Sequence, residues 1–215
     1  MLDLDGVLIE GEEVWDAVRE QLVRERGGHW AAGAQAAMMG MSSPEWSSYM
    51  ARELGMPMEP AAISSETVAR VAARYRQALP LVDGAVEVAT ALAGRWPLGL
   101  ASSANRPIIA LVLDTAGLTG CFRATVSSEE VARGKPAPDV YLEAAARLGV
   151  PPERCAAVED SANGLRSAAA AGMWVVAVPN RRYPPPAELV RAADLVLTDL
   201  RELSPVAIEG LGSGS

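Results

Sequence analysis

The sequence predicts a doubly wound parallel α/β sheet interrupted, just after its first strand, by a block of helices. Short apolar runs alternate with longer stretches of helical periodicity from about residue 97 onward, a rhythm that implies a parallel sheet covered on both faces. Residues 11–80 break it, with helical patterns in succession and no convincing strand. Polar residues follow the apolar runs directly, at the strand ends where an open parallel sheet binds its ligands.

The chain opens with a stub of strand, Met1 and Leu2, ahead of Asp3. A central strand usually runs about five residues, so the expectation is that the natural protein begins several residues earlier or that this strand is clipped. "EEVWDAVREQLVRERG" places Val14, Val18, Leu22 and Val23 on one helical stripe. "SSPEW" supplies a serine cap and a first-turn proline for the next helix, "SPEWSSYMAREL". A third helix is predicted over "SSETVARVAARYRQAL". Candidate strands follow at "PLGLA" (97–101), "ATV" (124–126), "CAAV" (155–158), "WVVAV" (174–178) and "DLVL" (194–197). Between them lie "RPIIALVLDTAG", "APDVYLEAAARLG", "NGLRSAAAAG" and "PPPAELVRAA", the first three ending on glycines suited to a helix C-terminus. The expected division is a core of residues 1–10 and 81–208, an inserted helical cap of 11–80, and a flexible tail of 209–215 ending in the linker-like "GLGSGS". Hinges are expected near Ile9–Gly11 and Pro80–Gly84.

Composition narrows the function. At 215 residues and 50% hydrophobic, the chain can bury a sizeable core. A net charge of −8 with no basic block argues against nucleic acid. The longest apolar runs fall far short of the roughly 20 residues a membrane helix needs, and the acidic start is unlike a leader peptide. Two cysteines, Cys121 and Cys155, make neither a disulfide framework nor a metal motif, and fit packed thiols in a reducing compartment. A cytoplasmic enzyme or binding protein is expected. Of 19 basic residues only Lys135 is a lysine.

Asp3 and Asp5 end the strand stub, Ser102 follows "PLGLA", Lys135 sits in "RGKPAPD", and Glu159 and Asp160 follow "CAAV". All should converge on one site. Three or four carboxylates around a point are stable together only about a hard cation, and an oxygen-only set favours Mg²⁺ over zinc. A free carboxylate can attack phosphorus, a second can shuttle the proton, and a lysine and a hydroxyl can hold phosphoryl oxygens. Every part needed for phosphoryl transfer is present.

The stretches "DLDGVL" (3–8), "LASSAN" (100–105), "GKPAPD" (134–139) and "VEDSANGLRSAAAAGM" (158–173), in this order, closely resemble the haloacid dehalogenase superfamily. The likeness is to its phosphatase branch with a small helical cap, the β-phosphoglucomutase-like and phosphoglycolate phosphatase-like group, and it covers almost the whole chain. The resemblance implies a Rossmann-like core and a Mg²⁺-dependent phosphatase acting through an aspartyl-phosphate on a small phosphorylated metabolite, with a sugar phosphate as the candidate. Asp3 would be the nucleophile and a metal ligand. Asp5 would be the general acid/base, with its backbone carbonyl on the metal. Ser102 would bond a phosphoryl oxygen, and Lys135 would stabilise the nucleophile and the transferring group. Asp160 would be the distal ligand, with Glu159 beside it directly or through water. Gly6 would supply a tight turn freeing amides for phosphate.

Substrate choice falls to the cap. Its aromatics Trp15, Trp30, Trp46, Tyr49 and Tyr75 read first as cap packing, with Trp15 also a substrate candidate. The turn "MMGMSS" (38–43) matches the family's specificity loop, where Gly40 would let backbone approach the ligand beside Met41 and Ser42; Ser103 and Asn105 complete the candidates. Ser102 also reads as an N-cap for "RPIIALVL", and His29 as a surface or loop residue. The chain departs from many relatives at Glu10–Gly11, where a hinge hydroxyl is missing, and it has Trp15, Met39 and Ser43 where mutases carry a histidine and basic residues. A mutase must hold a second phosphate with cationic donors, so a phosphatase is favoured over a phosphosugar mutase, and both over a dehalogenase or non-catalytic member. A monomer is expected because an inserted cap closes the site without a partner.

Overall fold

The computed structural model describes residues 1–38 and 41–211. Five parallel strands form the sheet: β1 (Leu98–Ser102), β2 (Phe122–Ser127), β3 (Ala156–Glu159), β4 (Trp174–Ala177) and β5 (Leu195–Val196). β1 pairs with β2, and β3, β4 and β5 pair in that order. The first residues of the chain close the gap between the two groups. Leu2 bridges Leu100 and Val158 in parallel, with Asp3 N–H donating to the Val158 carbonyl at 3.1 Å and Ala101 N–H donating to that of Leu2 at 3.0 Å. The sheet thus reads β2, β1, residues 1–3, β3, β4, β5, and Asp3 emerges at its centre, at the carboxyl end.

Alternation along the strands builds the two faces. Leu2, Leu100, Val158 and Val176 join Ile108 and Ile109 of α6 (Arg106–Thr115) in one core. Ala101, Val126, Ala157, Val175 and Ala177 point the other way, into a second core with Tyr141 of α7 (Asp139–Leu148) and Leu165 of α8 (Ala162–Ala170). The small residues on that face let the helices approach closely. Gly117, Gly149 and Gly172 follow α6, α7 and α8 at φ of +70°, +67° and +73°, as the pattern predicts. The predicted helix at "PPPAELVRAA" shrinks to α9 (Ala187–Arg191), because three prolines precede it. Helix α5 (Ala85–Ala93), unanticipated, hides in an apolar run that reads equally as strand. The final helix, α10 (Pro205–Gly210), includes residues 209 and 210 of the expected tail, and residues 212–215 lie outside the described residues.

Residues 12–77 hold four helices: α1 (Glu12–Glu25), α2 (Ala34–Met38), α3 (Ser43–Arg52) and α4 (Pro60–Gln77). The buried stripe of α1 is Trp15, Val18, Arg19, Leu22 and Val23, turned slightly from the predicted one, with Val14 only partly buried. α4 starts at Pro60, ahead of the predicted pattern, since proline's fixed φ suits the first turn. The two passages between this block and the sheet run side by side: Ile9 bridges Leu81 antiparallel, Glu10 N–H donates to Pro80 at 2.8 Å and Val82 N–H to Leu8 at 3.0 Å. No helix among the described residues is long and apolar enough to cross a membrane. Cys121 and Cys155 are free thiols, and His29 is exposed.

Candidate active site

At the sheet's carboxyl end, a cavity of about 450 Å³ separates the strand ends from the helical block. Asp3, Asp5, Ser102, Ser103, Asn105, Lys135 and Asp160 line it from the core, and Trp15 and Met41 from the helical block.

Lys135 is the hub. Its ammonium donates to Asp3 Oδ1 at 2.8 Å, to Glu159 Oε1 at 2.6 Å and to the Ala101 carbonyl at 3.0 Å, which uses all three protons. Burial works against its charge, but the Asp3 and Glu159 carboxylates more than offset that and hold its pKa above the usual lysine range. Glu159 is fully buried and accepts four bonds: Lys135 and the Tyr141 hydroxyl (2.7 Å) on Oε1, the Asp160 amide and the Ser161 hydroxyl (both 3.3 Å) on Oε2. Asp160 accepts from the Asn180 amide at 3.0 Å.

One carboxylate oxygen from each of Asp3, Glu159 and Asp160 lies within 4.8 Å of the others, all three residues buried. Burial, then the neighbouring Glu159 charge, pushes Asp3 up to about 7 against the pull of Lys135. The same two causes, in the same order, raise Asp160 well above the carboxylate range. Three buried acids around one ammonium form an all-oxygen set short of positive charge, which fits a hard divalent cation. Asp5 stands apart from that cluster. Burial and then Glu12 push it up to about 7, and its Oδ1 is buried without a hydrogen-bond partner.

Among the close approaches that need glycine, two lie beside Asp160 and Asp5. Gly6 has φ +80°, and a Cβ there would overlap the Asp160 carboxylate. Gly6→Ala therefore costs about 1–2 kcal/mol of backbone strain and displaces Asp160; a melting temperature lowered by several degrees, with a weakened response to Mg²⁺, is the expected result. A Cβ on Gly11 would overlap both Asp5 Oδ1 and the Tyr75 hydroxyl. Both of those oxygens are buried without a hydrogen-bond partner.

Several expectations change. Gly6 makes the tight turn, but its amide donates to the Ile9 carbonyl at 2.6 Å, so it is not free for phosphate. Ser42 does not line the cavity: it caps α3, its amide and hydroxyl donating to Glu45 at 2.7 and 2.6 Å. The N-cap of α6 is Asn105, not Ser102, and the Ser102 hydroxyl accepts from the Ala104 amide at 3.0 Å. Asn105 ties the core to the helical block, donating to the Ser43 hydroxyl at 2.7 Å and to Glu129 at 2.6 Å. Gly40 and Met39 lie outside the described residues. Trp15, Trp46 and Tyr75 are buried as cap packing, but the two tryptophans also line the cavity.

Sequence reasoning missed Arg19, Gln35, Tyr141 and Asn180. Asn180 follows β4 closely, so the strand-end rule that found Glu159 reaches it. Arg19 left a different trace, a cation inside an apolar helical stripe. It is also a cation in the cavity wall where none was expected.

Known proteins agree with this geometry. The description "haloacid dehalogenase-like hydrolase" matches residues 1–172. A probable pseudouridine-5'-phosphatase of Drosophila melanogaster is 31% identical over 95% of this chain and 90% of its own length. The bifunctional riboflavin kinase/FMN phosphatase of Arabidopsis thaliana is 29% identical over 94% of this chain, which spans 53% of that protein. The crystal structure of CbbY from Rhodobacter sphaeroides in complex with phosphate superposes with a TM-score of 0.86 at 25% identity, covering 97% of each chain. The chain belongs to the haloacid dehalogenase-like hydrolases.

Proposed function

We propose that this protein is a Mg²⁺-dependent phosphatase that hydrolyses small phosphorylated metabolites, sugar phosphates among them, through an aspartyl-phosphate on Asp3. The observation that carries the reading is Asp3 itself: buried, paired with Lys135, beside Asp160 and lining the cavity. Two relatives named as phosphatases support it.

In the reaction, an Asp3 carboxylate oxygen attacks phosphorus and the bond to the leaving oxygen breaks while Asp5 protonates that oxygen. Asp5 then takes a proton from water, the water oxygen attacks phosphorus, and the acyl-phosphate bond breaks to release inorganic phosphate and restore Asp3. Lys135 favours the ionised form of Asp3, and the Ser102 hydroxyl offers a donor to a phosphoryl oxygen. Asp3 and Asp160 would hold the metal with the Asp5 backbone carbonyl. Glu159, its oxygens occupied by four donors, acts from behind, by positioning Lys135 or through water. When bound, Mg²⁺ neutralises charge on the acids and the phosphoryl group. Residues 11–80 serve as a cap closing over the core of 1–10 and 81–208, with the paired passages at Ile9 and Leu81 as hinges. Because this roof belongs to the same chain, the reading is of a cytoplasmic monomer.

The test is phosphate release from a panel of sugar phosphates and other small phosphomonoesters, with Mg²⁺ and with chelator. Mg²⁺-dependent turnover is expected; a folded protein silent across the panel overturns the reading. Arg19 supports the mutase alternative, and conversion of a sugar phosphate to its positional isomer in the presence of a priming bisphosphate would favour it.

Mg²⁺ should also stabilise the protein without substrate. Binding to the folded state at a hundred times Kd contributes about 2.7 kcal/mol, which for a chain of this size raises the melting temperature by roughly 5–10 °C. Calorimetric scans with Mg²⁺ and with chelator check it; coincident scans would contradict the acidic cluster as the metal site.

A further inference from the structure

Arg19 is built into the cavity roof in a way its surroundings do not satisfy. The residue is 7% exposed. Its guanidinium lies 4.8 Å from the ring of Trp15 and 4.8 Å from that of Trp46, and those rings meet edge to face at 6.1 Å. Aromatic faces stabilise a dry cation and fix the plane of the fork. Gln35 accepts from Nη1 at 3.1 Å, while Nε is buried with no acceptor. Among the described residues, no carboxylate comes within ion-pairing distance of Arg19, although the charges of Asp5 and Asp16 reach it. A buried cation with no ion pair and one nitrogen without an acceptor is costly, and here it lines the same cavity as Asp3 and Asp5. The other cation in that wall, Lys135, has all its protons engaged.

We infer that Arg19, held by Trp15, Trp46 and Gln35, is the receptor for an oxyanion on the leaving group, a carboxylate or a second phosphate at the end remote from the transferring one. This deepens the phosphatase reading and rests on its placement of the transferring phosphoryl group at Asp3. A guanidinium edge matches a carboxylate or phosphate in a bidentate fork. Such a group supplies an acceptor and a counter-charge together, whereas a monophosphate whose leaving group is an uncharged polyol leaves the guanidinium without a counter-ion. Sites built around such a group discriminate strongly against ligands lacking it.

The experiment is calorimetric binding to the Asp3→Asn protein with Mg²⁺, which needs no turnover. Two matched pairs are compared: 3-phosphoglycerate with glycerol 3-phosphate, and fructose 1,6-bisphosphate with fructose 6-phosphate. The inference predicts at least about 10-fold tighter binding of the extra-anion member in one pair, and which pair shows it separates carboxylate from phosphate. Adding Arg19→Met should bring that ratio close to one, and Arg19→Lys should keep part of it. Equal binding within both pairs, or a preference that survives Arg19→Met, overturns the inference; if Arg19→Met does not fold, Arg19→Lys and the parent comparison decide. Wild-type phosphate release from the same compounds reports separately on the phosphatase reading. Preference without turnover would sink that reading and leave the receptor standing, and turnover without preference would do the reverse.

Discussion

Asp3→Asn is expected to abolish Mg²⁺-dependent phosphate release, lowering kcat by at least about 10⁴-fold, while the protein still folds. Asparagine keeps the shape of the side chain and an oxygen that can accept from Lys135, which now bonds Asp3 at 2.8 Å. It lacks the anionic oxygen that the proposed attack on phosphorus requires. One member of an acid cluster already short of positive charge also disappears, so the melting temperature should hold or rise slightly without metal. Phosphate release and melting curves, taken together, check the expectation. Activity falling in step with the folded fraction would mean that Asp3 is structural.

Lys135→Met should damage fold and chemistry together. The ammonium is the shared counter-ion of Asp3 and Glu159, at 2.8 and 2.6 Å, with side-chain exposure of 3%. Removing one partner of a buried ionic network costs about 3–5 kcal/mol, because the remaining charges stay behind unpaired. For a chain of this length that is a fall of about 10 °C in melting temperature. Mg²⁺ should restore part of the stability, since it neutralises the same carboxylates, but not the rate, since the lysine also holds Asp3 in place. Thermal melts with and without Mg²⁺ separate the two effects; a loss of less than about 1 kcal/mol would show that the pairing matters little.

Much of this was legible because the sheet is parallel and its strand ends converge. Each of the five apolar runs from "PLGLA" onward became a strand, and Ser102, Glu159 and Asp160 fell at their ends for the same topological reason. What stayed hidden was hidden physically. The Ala- and Val-rich stretch of α5 marks its exposed face with only Glu87 and Thr90 among apolar residues, so its period is weak. The five-residue α2 is too short to show one. The first strand is recognisable only as hydrogen bonds made by Leu2 and Asp3, because so few residues precede the catalytic loop.

The site was legible on its core side and opaque on its roof. Charged residues at strand ends announce themselves against an apolar run, which is how Asp3, Glu159 and Asp160 were found, while Lys135 stood out as the single lysine, in "RGKPAPD". Roof residues lie on amphipathic helices, where function and packing share one stripe. Ser42, a candidate from the "MMGMSS" turn, is consumed in capping α3 through Glu45, whereas Arg19, inside the buried stripe between Trp15 and Val23, lines the cavity.

The most direct measurement is a rapid quench of the wild-type protein during turnover of a small phosphomonoester with Mg²⁺, followed by peptide mass spectrometry. The account predicts phosphate on the N-terminal peptide, at Asp3, removed by hydroxylamine as an acyl-phosphate is and missing from Asp3→Asn. Steady phosphate release with no phosphorylated Asp3, or with the phosphate on another residue, would contradict it.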